Sequence, residues 1–280
     1  MRYHNKVTTE RGTVFLKRIL SLILSAVLLL ACCACGQTSV GTFRELEVVG
    51  TKQYGVICRK DDKIAPIVNA AVNYLAAAGT LDSVCTQWLG TSRITLDGDA
   101  EALKALELEG ERPRTLIIGV EADFNPMAFQ QNGEYVGMSI DIGNYIGYVL
   151  NWPVVFQPIM ASDVGAQLAS GNIDCALGFD PALVSSSKYD IGATYMQTDI
   201  LLAVREDSEV KNLKDLKEQR IGITDDSVVQ NALRANEKIT KYAAGATVYL
   251  SAARCFDALD NDWCAAIAMD ELRLIFFRQN

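Results

Sequence analysis

The 280-residue chain carries one histidine, His4, and it stands within the first few residues. If the N-terminal segment is cleaved, the remaining chain has none. A Ser-His-Asp or Cys-His mechanism is then excluded, and the commonest zinc ligand is missing. Beyond residue 42 no two cysteines stand in CxxC spacing, so neither a zinc knuckle nor a dithiol redox pair is indicated. No apolar run reaches the roughly 20 residues that a membrane-spanning helix needs. Basic residues are also few, 26 Lys and Arg against 34 Asp and Glu. No metal site and no cofactor are expected.

The N-terminus has the make-up of an export signal. Arg2, Lys6, Arg11, Lys17 and Arg18 precede an apolar run over 19–31, short for a span and ending in small residues and cysteines. Leu29-Leu30-Ala31-Cys32 resembles a lipobox, in which the cysteine after the cleavage point is lipidated. Cys32 is the expected anchor; Cys35 ranks second because Cys32 stands where an aliphatic residue is wanted. This gives a signal peptide over 1–31 and a tether over 32–42. Removing the signal takes five of the 26 basic and one of the 34 acidic residues, leaving 21 against 33, or net −12. An acidic surface argues against nucleic acid and against anionic membranes as partners. The expected location is the extracytoplasmic face of the cell membrane, held there by the lipid.

Five of the eight cysteines, Cys58, Cys85, Cys175, Cys255 and Cys264, fall beyond the tether in apolar surroundings. An odd number leaves at least one free thiol, which there behaves as a small buried hydrophobe. A Cys255–Cys264 disulfide is left open.

Periodicity indicates an α/β fold. Strands are expected over 116–120, 153–157 and 173–177, with helices over 139–150 and 163–169 between them. A second series has strands over 200–205, 220–223, 247–250 and 265–269, with helices near 213–218 and over 227–235 and 252–259. Strands separated by helices of this length form βαβ units with parallel pairing.

The motifs Leu116-Ile117-Ile118-Gly119-Val120-Glu121-Ala122-Asp123-Phe124-Asn125-Pro126, Ala169-Ser170-Gly171-Asn172-Ile173-Asp174, Leu213-Lys214-Asp215-Leu216-Lys217 and Asp270-Glu271 resemble the opening part of family 3 extracellular solute-binding proteins. These serve amino-acid ABC importers. The family's closing part is also present, but earlier in the chain: Tyr54-Gly55-Val56-Ile57-Cys58-Arg59-Lys60, then Ala78-Gly79-Thr80-Leu81-Asp82 through Trp88-Leu89-Gly90. The resemblance therefore implies a two-lobed type II periplasmic-binding-protein fold that is circularly permuted. Lobe 2 is expected from 43–54 and 199–280, and lobe 1 from 55–90 and 113–198. Residues 91–112, with a short helix over 100–109, would join the ancestral ends. The hinge would be the two crossings near 53–57 and 196–202. Such rearrangements are tolerated because chain ends are often close together at a domain surface.

Open α/β sheets bind ligands beyond the carboxyl ends of their strands. That rule selects the loops after Val120, Leu177, Ile223 and Met269. Phe124 matches the family's ligand-stacking aromatic, with Glu121 and Asp123 on the same loop, although a core ring is equally consistent. Asp270 matches the acid that receives the ligand's α-ammonium group and could equally be a helix N-cap. Ser227 corresponds to a turn where a helix N-terminus receives a carboxylate, but Asp226 places its own charge there. The clamp arginine expected after Leu177 is absent. The segment holds Asp180, the arginine position falls near Ser186, and Lys188 lacks the planar fork. Glu121, Asp123, Asp180, Asp225, Asp226 and Asp270 against Lys188 alone make an acidic cleft, which favours a ligand bearing an amine or guanidine.

The expected function is that of a monomeric substrate-binding lipoprotein that captures an amino acid or related small amine and delivers it to an ABC permease. A ligand sensor on the same scaffold is the alternative. A dehydratase-like enzyme using Glu121 or Asp180 as general acid ranks last.

Overall fold

The computed structural model describes residues 42–104, 106 and 114–279. The signal peptide, Cys32, Cys35 and all of the tether except Thr42 lie outside the described residues.

The chain enters on β1 (Phe43–Arg59), a 17-residue strand, and continues into α1 (Ile64–Ala77) and α2 (Thr80–Leu89). A first series follows: β2 (Leu116–Glu121), the hairpin β3 (Phe129–Gln131) and β4 (Glu134–Val136), α3 (Met138–Leu150), β5 (Val154–Ile159), α4 (Val164–Ser170) and β6 (Cys175–Phe179). The equally long β7 (Tyr189–Arg205) leads to a second series of β8 (Arg220–Thr224), α5 (Ser227–Ala235), α6 (Glu237–Thr240), β9 (Gly245–Tyr249), α7 (Ala252–Asp260), β10 (Ala266–Asp270) and α8 (Glu271–Gln279).

One eight-stranded sheet runs β5-β2-β6-β1-β7-β10-β8-β9. Both outer triplets are parallel, and both place their first strand between the second and third. They are the products of consecutive βαβ crossovers. β1 and β7 lie antiparallel to each other along their whole length and belong to both halves. The register of β1 against β7 shifts between Tyr54 and Gly55 and again between Gly55 and Ile57, where the strand passes from one half to the other. Bulges of this kind bend and twist a strand locally.

Helices cover both faces of each half. In lobe 1, α1, α2 and α3 pack on one face around Val56, Val68, Leu81, Ile118 and Ile142, and α4 packs on the other around Ile57, Val164 and Leu168. In lobe 2, α7 and α8 enclose Cys255, Phe256 and Leu274, while α5 and α6 enclose Val229, Leu233 and Ile239. This explains why Tyr54, Val56, Ile57 and Cys58 are all buried: a central strand covered on both faces has no solvent side.

The helix expected near 213–218 is a short 3-10 turn, Leu213–Leu216, and other expected elements differ as follows. β1 is continuous through the polar stretch Thr51-Lys52-Gln53, and β7 begins eleven residues before the expected strand at 200. Residues 100–104 form turns, not the start of a helix, and most of 105–113 lies outside the described residues. Cys255 and Cys264 are both buried free thiols, as are the other three, so the optional disulfide is not formed.

The first and last described segments lie side by side. Arg278 near the end of α8 is 3.5 Å from Glu45 of β1 and its guanidinium sits 4.8 Å from the Phe43 ring.

Candidate functional site

The carboxyl ends of β2, β8 and β10 converge on the middle of the sheet. β2 ends at Glu121, and the turn that follows takes Asp123 through a left-handed conformation (φ 56°). Phe124 comes next, pinned by reciprocal backbone hydrogen bonds to Ala128, with its ring fully buried. In lobe 2, β8 ends at Thr224 and Asp226 is the N-cap of α5. Its Oδ1 accepts from the amides of Val228 (2.9 Å) and Val229 (3.3 Å). The helix N-terminus is thus occupied by the chain's own carboxylate, as the sequence reading of Asp226 expects.

Asp270 closes β10 with 1% exposure. It accepts from the Leu272 amide (2.7 Å), the Thr198 hydroxyl (2.9 Å) and the Tyr54 hydroxyl. The capping alternative for Asp270 is realised through the Leu272 amide, and the same carboxylate ties β10 to both β1 and β7.

Two cations complete the cluster, and neither is expected from the sequence reading. Lys52 of β1 is 2% exposed, and its Nζ stands 2.6 Å from Asp226 Oδ2 and 4.8 Å from the centre of the Phe124 ring. Arg273, on the first turn of α8, lies 4.1 Å from the same ring centre. It donates to the Asp123 carbonyl (3.1 Å) and approaches Glu121 at 3.7 Å. Phe124 is therefore the surface on which two buried cations rest, an arrangement strengthened by the exclusion of water.

The charges set one another. Burial penalises the Lys52 ammonium, but Asp226, Glu121 and Asp270 outweigh that penalty and hold its pKa above the ordinary lysine value. Burial likewise works against the Asp226 carboxylate, yet Lys52 and the Val229 amide bring its pKa below the usual range. For Glu121 and Asp270 burial wins over Lys52, and both are raised. One carboxylate has captured the lysine and the other two are left under-compensated.

Beside this cluster opens a cavity of about 330 Å³, lined by residues 121–123 and 160–162 from lobe 1 and by 224–227, Leu250, Ser251 and Arg273 from lobe 2. That is the lower end of the range for small-molecule sites. Among the described residues no group of His, Cys, Asp or Glu could hold a metal ion.

The sequence pattern of the bacterial extracellular solute-binding proteins, family 3, matches residues 116–267. The chain belongs to this family. Among curated proteins it is similar to the arginine-binding extracellular protein ArtP of Bacillus subtilis (strain 168), 22% identical over 111 residues, or 39% of this chain and 44% of ArtP. The matched region is thus less than half of that relative's length. Among solved structures it resembles an ABC uptake transporter substrate binding protein from Streptococcus pneumoniae with bound histidine. The TM-score there is 0.53 at 23% identity, covering 59% of this chain and 69% of that one. It also resembles an ancestral amino acid-binding protein, AncCDT-1, a precursor of cyclohexadienyl dehydratase. That TM-score is 0.51 at 21% identity, covering 59% and 74%. These likenesses establish the two-lobed type II fold.

Of the residues singled out in the sequence, Glu121, Phe124, Asp226 and Asp270 come together, and Ser227 lies exposed on the cavity wall. Asp180 is buried nearby but is spent on structure: it accepts from the Gln53 amide (2.9 Å) and caps the short 3-10 helix Pro181–Leu183 through Ala182 (2.7 Å). Ser186 is exposed on the turn before β7 and does not line the cavity, and Lys188 is exposed beside it. The picture of an acidic cleft opposed only by Lys188 is corrected by Lys52 and Arg273. Both had a sequence signal. Lys52 keeps period-two phase with the inward Tyr54, and Arg273 is one helical turn beyond Asp270.

Proposed function

We propose that this chain is an extracytoplasmic solute-binding protein that takes an amino acid or related small amine into the cleft between its lobes and presents the closed form to an ABC permease. The observation that carries the reading is the meeting of Glu121 and Phe124 from one lobe with Asp226 and Asp270 from the other, with Glu121 and Asp226 on the wall of one cavity and the Phe124 ring and Asp270 buried behind it. Carboxylates backed by an aromatic face are suited to an ammonium or guanidinium group. A ligand touching both lobes would shift an open–closed equilibrium towards the closed state. Arg273 at the cavity wall is the cation available to a ligand carboxylate in place of the absent clamp arginine.

The reading includes a circular permutation with lobe 2 from 43–54 and 199–280 and lobe 1 from 55–90 and 113–198. Support comes from the central place of β1 in the sheet, from the adjacency of Arg278 and Glu45, and from a family match that begins only at residue 116. Cys32 is proposed as the lipidated residue; a Cys32→Ser chain that still incorporates labelled fatty acid would contradict this. The protein is read as a monomer and as a binder, not an enzyme, with Asp180 held by two backbone amides and Glu121 facing Arg273.

A thermal-shift screen of the twenty amino acids and simple amines tests the function. Basic amino acids are expected to raise Tm by mass action, and tight binding of glutamate or no response to any compound would overturn the reading.

A further inference from the structure

Lys52 is the most buried cation among the described residues, and it reaches both lobes from a strand shared by both. Its ammonium is held by Asp226 from lobe 2, faces the Phe124 ring from lobe 1, and has Glu121 and Asp270 as further acids around it. A carboxylate, an aromatic face and a surplus of negative charge are the components of an amine-binding site, and here a side chain of the protein fills it. As a structural device the arrangement has little to recommend it, because a buried ion pair adds no more stability than apolar residues of the same volume.

We propose that Lys52 is an intramolecular competitor for the cationic group of the ligand. It holds the unliganded lobes together through Asp226 and Phe124 and sets the affinity of the cleft, because an incoming amine must displace it. This rests on the cleft being the ligand site. A tethered ammonium competes at an effective concentration far above that of a dilute solute. Only the fraction of molecules with Lys52 displaced is competent to bind, and apparent affinity falls by that fraction. Lys52 is thus a specificity-determining residue: it admits an amine that brings further contacts, such as a carboxylate for Arg273, and excludes one that does not.

The test compares the wild-type protein with Lys52→Ala and Lys52→Met, using n-butylammonium chloride, which carries the charge and the four-carbon stem of a lysine side chain, with n-butanol and sodium chloride as controls. Lys52→Ala should melt lower by on the order of 10 °C, since Asp226 loses its partner. Butylammonium should raise its Tm while leaving the wild type and Lys52→Met unmoved. Calorimetry with L-arginine should show about tenfold or greater tightening in Lys52→Ala relative to wild type. Equal butylammonium stabilisation of wild type and Lys52→Ala, or none in either, would overturn the proposal. If Lys52→Ala does not fold, Asp226→Asn probes the same contact from the other side: it should enlarge the radius of gyration in X-ray scattering, and an unchanged radius would refute the latch. Butylammonium rescue without any arginine response would remove the amino-acid reading and leave the role of Lys52 standing; arginine binding without rescue would do the reverse.

Discussion

The two halves of the sheet are built alike and end differently. Each has three parallel strands with the first in the centre, and each sends an acid from the end of its third strand to β1. In lobe 1 that acid is Asp180, which takes the Gln53 amide; in lobe 2 it is Asp270, which takes the hydroxyl of the neighbouring Tyr54 and of Thr198. Asp180 has both oxygens committed to backbone amides. The pKa of Asp270 is raised above the ordinary aspartate value by burial, which the Lys52 charge and its hydrogen-bond donors do not overcome. One topology thus yields a backbone staple in one lobe and a buried acid within a charge cluster in the other. Position after a strand does not by itself make an acid functional; the donors it meets decide.

Asp270→Asn should widen that contrast most. An amide oxygen cannot serve three donors, and the amide nitrogen adds a fourth donor among them, so a cost of about 1–3 kcal/mol is expected, together with loss of ligand binding. Asp180→Asn keeps an acceptor for one amide and should cost about 1 kcal/mol with ligand affinity intact. Chemical denaturation and calorimetry separate the two; equal loss of affinity in both variants would abolish the distinction.

A second test uses pH. Glu121 and Asp270 have folded pKa values above their ordinary ones, so the folded protein binds these protons more tightly and gains stability as pH falls from neutral through the folded pKa towards the ordinary carboxylate value. Asp226 runs the other way, and its contribution, present above the ordinary aspartate value, is lost only as pH falls through its lowered pKa. Lys52 contributes fully below the ordinary lysine value and loses that contribution as pH rises through its raised one. Glu121→Gln should remove part of the gain, so its Tm should fall behind that of the wild type as pH is lowered from 7 towards 4.5. Parallel curves would show that Glu121 does not titrate in that window.

The smallest effect is expected from reversing the proposed permutation. A gene in which residue 279 is joined to 43 and the chain opened between 99 and 114 should give the same circular dichroism, with Tm within a few degrees. A chain that fails to fold would break the proposed equivalence of the ends.

Much of this was legible in the sequence. The apolar runs at 116–120, 173–177 and 265–269 announce buried parallel strands, and the motif order is what the proposed permutation rests on. β1 was harder, because Thr51-Lys52-Gln53 resembles a solvated break between apolar runs; only tertiary pairing with both β6 and β7 keeps it extended. The cleft acids were legible from strand ends and the inward phase of Lys52 and Arg273 could be read locally, but which cation meets which acid was not legible. Lys52 is 174 residues from Asp226, and Arg273 is 152 from Glu121. Contacts at that separation are set by the fold, and a charge count along the chain assigns Lys188 a role that two distant cations hold.

The most direct measurement is calorimetric titration of L-arginine and L-glutamate into the wild-type protein and Asp270→Asn. Arginine binding that vanishes in Asp270→Asn, with no glutamate binding in either, is the predicted result. Tight glutamate binding, or arginine binding unaffected by Asp270→Asn, would contradict an interlobe site for amines.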